Sequence, residues 1–182
     1  MSELLYFDCF ASYGPRPNKH ENQRWTLAHL LDDLDQYGIA GALVRHEQSY
    51  FYDPMTANRR LVREVKAHRS RLWPCWLALP HQAGDFPHAS ELVQEMDSSG
   101  VRALEICPAT NGLPVARELF APLADLLNVR RTPILLGYGQ VGGEYERIKE
   151  LCRIFSGCPV IMHKAGWGNW RNVVALMDAC PN

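Results

Sequence analysis

The sequence lacks any long hydrophobic run, and this excludes a transmembrane helix. Its longest apolar stretches, Leu4–Phe7 and Pro159–Met162, are short, whereas a helix needs about 20 apolar residues to cross a bilayer. The N-terminus also lacks a basic segment followed by an apolar stretch, so we expect no secretory signal peptide. We therefore predict no membrane partner.

The sequence also lacks an excess of basic residues. Its 182 residues include 19 Lys and Arg against 20 Asp and Glu, which gives a net charge of −1. Proteins that bind nucleic acid usually carry a basic patch or stripe, so we expect no nucleic-acid partner. The length and the 47% hydrophobic content are typical of one globular domain, which we predict to span residues 1–182.

None of the six cysteines forms a C-x-x-C pair. In a chain without an export signal, reduced thiols that pack as small apolar residues are expected, and a cytoplasmic location follows. The cysteines are Cys9, Cys75, Cys107, Cys152, Cys158 and Cys180.

Several motifs with specific chemistry are missing. No G-x-G-x-x-G follows the first predicted strand, and no Walker pattern or G-x-S-x-G is present. The segment Gly137–Gly143 is rich in glycine but lacks the Lys and Ser/Thr of a phosphate-binding loop. Dinucleotide binding and an α/β-hydrolase triad are therefore not expected.

What the sequence does contain is an alternation of short apolar runs with longer segments of helical periodicity. Such alternation predicts an α/β fold with parallel strands and right-handed crossovers. The periodicity leaves open whether the units form a doubly wound sheet or part of a barrel. The predicted strands are Leu4–Asp8, Gly41–His46, Leu72–Leu79, Val101–Cys107, Pro133–Gly137 and Pro159–His163.

Each predicted strand ends in a polar or unusual residue. Active sites of parallel α/β barrels lie at the carboxyl ends of the strands, so we expect these side chains to surround one mouth. Structural roles remain open for several of these residues. Arg45 and Glu105 are also explained by a buried ion pair with each other. His46 and His81 are also explained as ordinary loop residues, and Asp8 as an acceptor of hydrogen bonds from a neighbouring loop. The residues are Asp8, Arg45, His46, His81, Glu105, Cys107, Tyr138, His163 and Lys164.

The order of four segments resembles the amidohydrolase-related family of TIM-barrel metal-dependent hydrolases. Phe7–Gly14 lies where that family has an Asp followed by His-x-His, and Tyr52–Asn58 resembles the segment after its second strand. Pro133–Gly139 resembles the strand that usually ends in a ligand histidine, and Cys158–Gly166 resembles the next strand. The resemblance implies a parallel (β/α) TIM-barrel-like fold with about six of eight units present.

The family's metal ligands are mostly absent. Its two histidines after the first strand fall on Phe10 and Ser12, the histidine of strand five falls on Gly137, and only His163 keeps a ligand-type residue. The resemblance implies a divalent metal, zinc or manganese, with His163 as a ligand. A catalytic zinc site commonly needs three protein ligands, so the loss of the others counts against this cofactor.

The last two βα units of the family also have no counterpart here. We expect either a sheet that is open between its first and sixth strands, or a partner chain that fills the gap. Homo-oligomerisation stays open.

The sequence is compatible with three functions. The first is a hydrolase that acts on a small lactone, amide or carboxylated compound. In it Asp8, His81 and Tyr138 are the catalytic candidates. Its substrate-binding candidates are Arg45, His46, Glu105 and Lys164.

The second function is an impaired barrel that binds a small acid or a partner protein without turnover. The third is a metal-free lyase or hydrolase in which His163 and Tyr138 serve as acid and base.

Overall fold

A computed structural model of the protein describes residues 5–18, 20–166, 168 and 170–180. These residues form two compact units. The first unit comprises the described residues up to Leu77 together with Ser99–Arg102, and the second comprises Ala78–Ser98 and the described residues from Ala103 onwards. The predicted starts of the first strand at Leu4 and of the last helix at Trp167 lie outside the described residues.

The first unit is built on three parallel strands. Strand β1 pairs with β2 and β2 pairs with β3, both in parallel. Its elements in chain order are β1 (Tyr6–Tyr13), α1 (Leu27–Gln36), β2 (Ile39–His46), α2 (Gln48–Phe51), α3 (Pro54–Glu64), a 3₁₀ turn (Val65–His68) and β3 (Leu72–Ala78).

The second unit repeats this arrangement. Strand β4 pairs with β5 and β5 pairs with β6, again in parallel. Its elements are a 3₁₀ turn (His81–Ala83), α4 (Ala89–Ser99), β4 (Ala103–Ile106), α5 (Arg117–Arg130), β5 (Ile134–Gly137), a second 3₁₀ turn (Tyr138–Val141), α6 (Tyr145–Ile154), β6 (Val160–His163) and α7 (Trp170–Ala179).

The parallel α/β prediction is confirmed, and all six strands lie where the apolar runs predict them. The first strand differs most, because β1 continues five residues beyond its predicted end at Asp8. Its pairing with β2 shifts register between Asp8 and Ala11, and the Asp8 Oδ1 atom accepts a hydrogen bond from the Phe10 amide at 2.8 Å. This irregularity breaks the apolar pattern, so the prediction that Asp8 ends the strand is wrong.

The predicted helix boundaries have clear physical causes. Asp53 caps α3 through a hydrogen bond from the Thr56 amide to its Oδ1 atom at 2.6 Å, and Pro54 occupies the first helical position. Gly38 follows α1 with a φ of +63°, the conformation expected of a glycine after a helix.

Each unit buries its own apolar core. Val44, Leu61 and Leu72 are completely buried in the first unit, and Leu104 and Leu127 in the second. Strands β3, β4 and β5 are almost wholly buried and read as apolar runs rather than as alternating patterns, whereas Tyr6 and Phe7 of β1 are exposed. Among the described residues, no helix has the length and apolar character that a membrane span requires.

Gly14 marks the tightest backbone contact next to β1. Its φ is +115°, and its amide donates a hydrogen bond to the Trp25 carbonyl at 2.7 Å. A Cβ atom at this position would lie 2.8 Å from Cε1 of the His46 ring. Gly14 therefore allows the chain to turn directly against the buried imidazole.

We expect Gly14→Ala to destabilise the protein by about 2–4 kcal/mol, because backbone strain adds to a clash with a buried ring. Gly38→Ala is the matched control, since Gly38 also has a positive φ but nothing lies within 4 Å of a Cβ there. Urea unfolding measures both variants. Equal losses in the two variants would show that the contact with His46 contributes nothing.

Candidate functional site

The second unit brings together two polar residues from the ends of its strands. Glu105 lies in β4 and His163 ends β6, and His163 Nε2 lies 3.2 Å from Glu105 Oε1. The exposed fraction of the side chain is 1% for Glu105 and 12% for His163. The two residues form a buried carboxylate–imidazole pair at the carboxyl ends of parallel strands.

The central strand β5 makes room for this pair. Its last residue, Gly137, is in register with His163, and a Cβ atom at Gly137 would lie 3.0 Å from the His163 Cε1 atom. A side chain at position 137 would displace the imidazole. The glycine at position 137 thus leaves the His163 ring the space that it occupies.

The geometry of the pair suits proton transfer. When a carboxylate oxygen accepts a hydrogen bond from Nε2, the ring proton is assigned to that nitrogen and the orientation of the ring is fixed. In this geometry Glu105 positions the His163 ring, and Nδ1 is the ring nitrogen that does not face the carboxylate.

Two further predicted residues of the second unit lie near these strand ends in sequence. Lys164 follows His163 with a φ of +58°, and its side chain is exposed. Tyr138 follows Gly137 and is buried, and its hydroxyl donates a hydrogen bond to the Gly143 carbonyl at 3.0 Å. Tyr138 therefore holds the glycine-rich loop in place.

His81 lies in the 3₁₀ turn after β3. Its ring is half-buried and lies 4.6 Å from the ring of His88, measured between centroids.

Arg45 lies in the first unit between two aromatic rings. Its guanidinium is 4.0 Å from the centroid of Phe10 and 4.5 Å from that of Tyr50, and its Nη2 atom is 3.7 Å from Glu47 Oε1. The same carboxylate oxygen accepts a hydrogen bond from Arg16 at 2.9 Å. Arg45 is thus part of a packed ionic cluster.

Glu47 stays ionised in this cluster. Burial acts to raise its pKa, but hydrogen bonds from Arg16 and Ser12 and the charge of Arg45 outweigh burial, so the pKa lies below its usual value.

His46 ends β2 and packs against a second polar group of the first unit. Its Nδ1 atom accepts a hydrogen bond from the Gln48 amide at 3.3 Å, and its ring meets the Tyr13 ring edge-on at 5.1 Å. Burial lowers the pKa of His46, and the charge of Arg60 lowers it further. The imidazole is therefore neutral near pH 7.

Three residues around His46 were not predicted from the sequence. The Tyr13 hydroxyl donates to Glu64 Oε2 at 2.8 Å, and Arg60 Nε donates to Glu64 Oε1 at 2.7 Å. Burial and the bond to Glu64 raise the pKa of Tyr13 far above its usual range. The four-residue spacing of Arg60 and Glu64 on a helix was the one visible signal, since Tyr13 lies 51 residues away from Glu64.

The residues present do not fit the zinc or manganese site that the family resemblance implies. His163 Nε2 faces the Glu105 carboxylate, and the ring occupies the space next to Gly137. Within the described ranges, no three His, Cys, Asp or Glu residues lie close enough together to hold a metal ion. A catalytic zinc site commonly needs three protein ligands, and the described residues do not bring three together.

Comparison with known proteins identifies the fold. No protein-family model matches the sequence, and no curated protein matches it either. Solved structures do match. An uncharacterised TIM-barrel protein of Bordetella bronchiseptica aligns with a TM-score of 0.66 and 15% identity over 86% of this chain. The chain spans 57% of the length of that protein.

Two further structures carry functional names. A protein named amidohydrolase II aligns with a TM-score of 0.64 and 11% identity, over 97% of this chain and 74% of its own. The 5-carboxyvanillate decarboxylase of Sphingomonas paucimobilis aligns with a TM-score of 0.60 and 11% identity, over 88% and 67%. At such identities the likeness shows the fold alone, which is TIM-barrel-like with parallel βα units, as the family resemblance implied.

The buried neutral imidazole of His46 gives a prediction about acid stability. Its pKa is lower in the folded protein than the usual 6.5, so the unfolded state binds more protons at mildly acidic pH. The contribution is fully present above pH 6.5 and is lost as the pH falls below that value towards the folded pKa.

We expect His46→Asn, which keeps an acceptor for the Gln48 amide, to show a smaller loss of unfolding free energy between pH 7 and pH 5 than the parent protein. Urea unfolding at several pH values measures this loss. The control is His20→Asn at an exposed position. An unchanged pH slope in His46→Asn would contradict the assignment.

Proposed function

We propose that the protein is a hydrolase of a small lactone or amide and that His163 is its acid–base group. The observation that carries this proposal is the 3.2 Å contact between His163 and the buried carboxylate of Glu105. The contact lies at the carboxyl ends of parallel strands, where α/β barrels have their active sites. The likeness to an amidohydrolase II and to a decarboxylase is consistent with this fold–site combination.

The proposed reaction is general base catalysis of water attack on a carbonyl carbon. His163 takes a proton from the water on Nδ1, the ring nitrogen that does not face Glu105, as the water oxygen bonds to the carbon. It returns that proton to the leaving oxygen or nitrogen as the bond to carbon breaks. Nδ1 is buried in the structure, so the proposal requires substrate binding to expose it. Glu105 holds the ring and balances the charge of the imidazolium. The products from a lactone are one carboxylate and one alcohol on the same molecule.

Lys164 is the residue on which we base a proposed preference for acidic substrates. Its exposed ammonium directly follows His163 in sequence, and a positive charge attracts a carboxylate on the substrate. We therefore propose a carboxylated lactone or amide as the substrate class. The cytoplasmic location, the small-molecule partner and the lack of a nucleic-acid partner remain predictions.

Activity towards a lactone tests the role of His163. With the carboxylated lactone 5-oxotetrahydrofuran-2-carboxylate as the probe substrate, we expect His163→Ala to lower kcat/KM by about 10²–10⁴-fold, the usual contribution of a general acid–base group. Glu105→Gln should lower it by about 10²-fold, because the ring loses its fixed orientation. His88→Ala, at an exposed position of the same unit, should leave the activity unchanged.

Two results would contradict the proposal. One is a parent protein that binds the lactone without turning it over, which would favour a binding barrel. The other is activity that disappears on dialysis against EDTA and returns with zinc or manganese, because the proposed reaction uses only side chains. We expect kcat/KM to be the same before and after the dialysis.

A further inference from the structure

A cavity lies in the first unit. Its volume is about 280 Å³, just below the range of about 300–1,000 Å³ that is common for small-molecule sites. It opens where β1 and β2 end and where α1 begins. The side chains that define its chemistry belong to Tyr13, Trp25, His46, Arg60 and Glu64.

One wall of this cavity is formed by a hydrogen-bond donor, the Arg60 guanidinium, next to an acceptor, the Glu64 carboxylate. Arg60 Nε contacts Glu64 Oε1 at 2.7 Å, while Arg60 Nη1 donates to Gln48 Oε1 at 3.0 Å. Glu64 Oε2 is fixed in turn by the Tyr13 hydroxyl at 2.8 Å. The guanidinium and the carboxylate are thus held side by side, and each keeps part of its surface in solvent, with 42% and 32% of the side chain exposed.

The charges on this wall sum to zero. Arg60 is cationic and Glu64 is anionic, and hydrogen bonds from Arg60 and Tyr13 outweigh the effect of burial and keep the pKa of Glu64 below its usual value. His46 is neutral because burial lowers its pKa. A ligand with a net charge therefore gains from one member of the Arg60–Glu64 pair and loses to the other.

Trp25 gives the cavity an apolar surface. The residue is 43% exposed, and its backbone carbonyl accepts a hydrogen bond from the Gly14 amide at 2.7 Å. A half-exposed indole that lines a cavity offers a flat apolar surface to a planar ring.

We propose that this cavity binds a neutral, planar, one-ring molecule that carries an adjacent N–H donor and C=O acceptor, that is, a cyclic amide or lactam. The ligand carbonyl accepts a hydrogen bond from the Arg60 guanidinium, and its N–H donates to the Glu64 carboxylate. The ring packs on Trp25. The volume limits the ligand to about one ring with small substituents.

Titration with 2-pyridone, the simplest planar lactam, tests this site. We expect ¹H–¹⁵N spectra of the full chain to show shifts at the Gly14 amide and the Trp25 indole N–H, with a Kd in the range of about 0.1–5 mM, as is usual for so small a ligand. Pyridine lacks the donor, and benzoate has a net charge. Both should bind at least about tenfold more weakly.

Two variants identify the wall that binds the probe. Arg60→Met should weaken 2-pyridone binding by about tenfold or more, since it removes a charged donor, while Arg63→Met on the exposed side of the same helix should have no effect. Trp25→Leu, at a half-exposed position, tests the aromatic wall independently of the ion pair and should also weaken binding.

The proposal is overturned by any of three results. These are no shift at Gly14 or Trp25 up to about 10 mM 2-pyridone, equal or tighter binding of benzoate, and binding that survives both Arg60→Met and Trp25→Leu. None of them tests the role of His163, which is not among the residues that line this cavity.

Discussion

Parallel strand pairing is the constraint on which the rest of this structure depends. Parallel neighbours cannot be joined by a tight turn, so each connection carries a helix that covers the sheet. The carboxyl ends of adjacent strands consequently point the same way. In the first unit this places Tyr13 beside His46, and in the second it places Gly137 beside His163. Both candidate sites follow directly from these two register pairs.

The two sites use their buried polar groups differently. Glu105 and His163 form a pair in which the carboxylate orients the imidazole, and the proposed proton transfer depends on this arrangement. In the first unit, by contrast, Glu64 is bound by both Tyr13 and Arg60, so its carboxylate is fixed and cannot easily change its protonation state. The first arrangement suits chemistry and the second suits recognition.

The sequence predicted the strands and helix caps well because these depend on local signals. The apolar run Pro159–Met162 ends at His163, and Asp53-Pro54 begins α3, as expected from capping and proline geometry. The prediction that β1 ends at Asp8 was wrong because an irregular pairing near Asp8 interrupts the apolar pattern without ending the strand.

The sites were harder to predict because they depend on long-range contacts. His163 and Glu105 were each recognised as strand-end residues, but their pairing spans 58 positions of the chain. The group around Glu64 was missed altogether, since nothing in the sequence near Tyr13 indicates a partner on α3.

The close approach of Gly137 to His163 also restricts which residues position 137 can hold. A Cβ atom there would lie 3.0 Å from Cε1 of the His163 ring, so a larger residue would press on the imidazole and on its contact with Glu105. Position 137 is therefore coupled to positions 105 and 163, and we do not expect the effects of substitutions at the three positions to be additive.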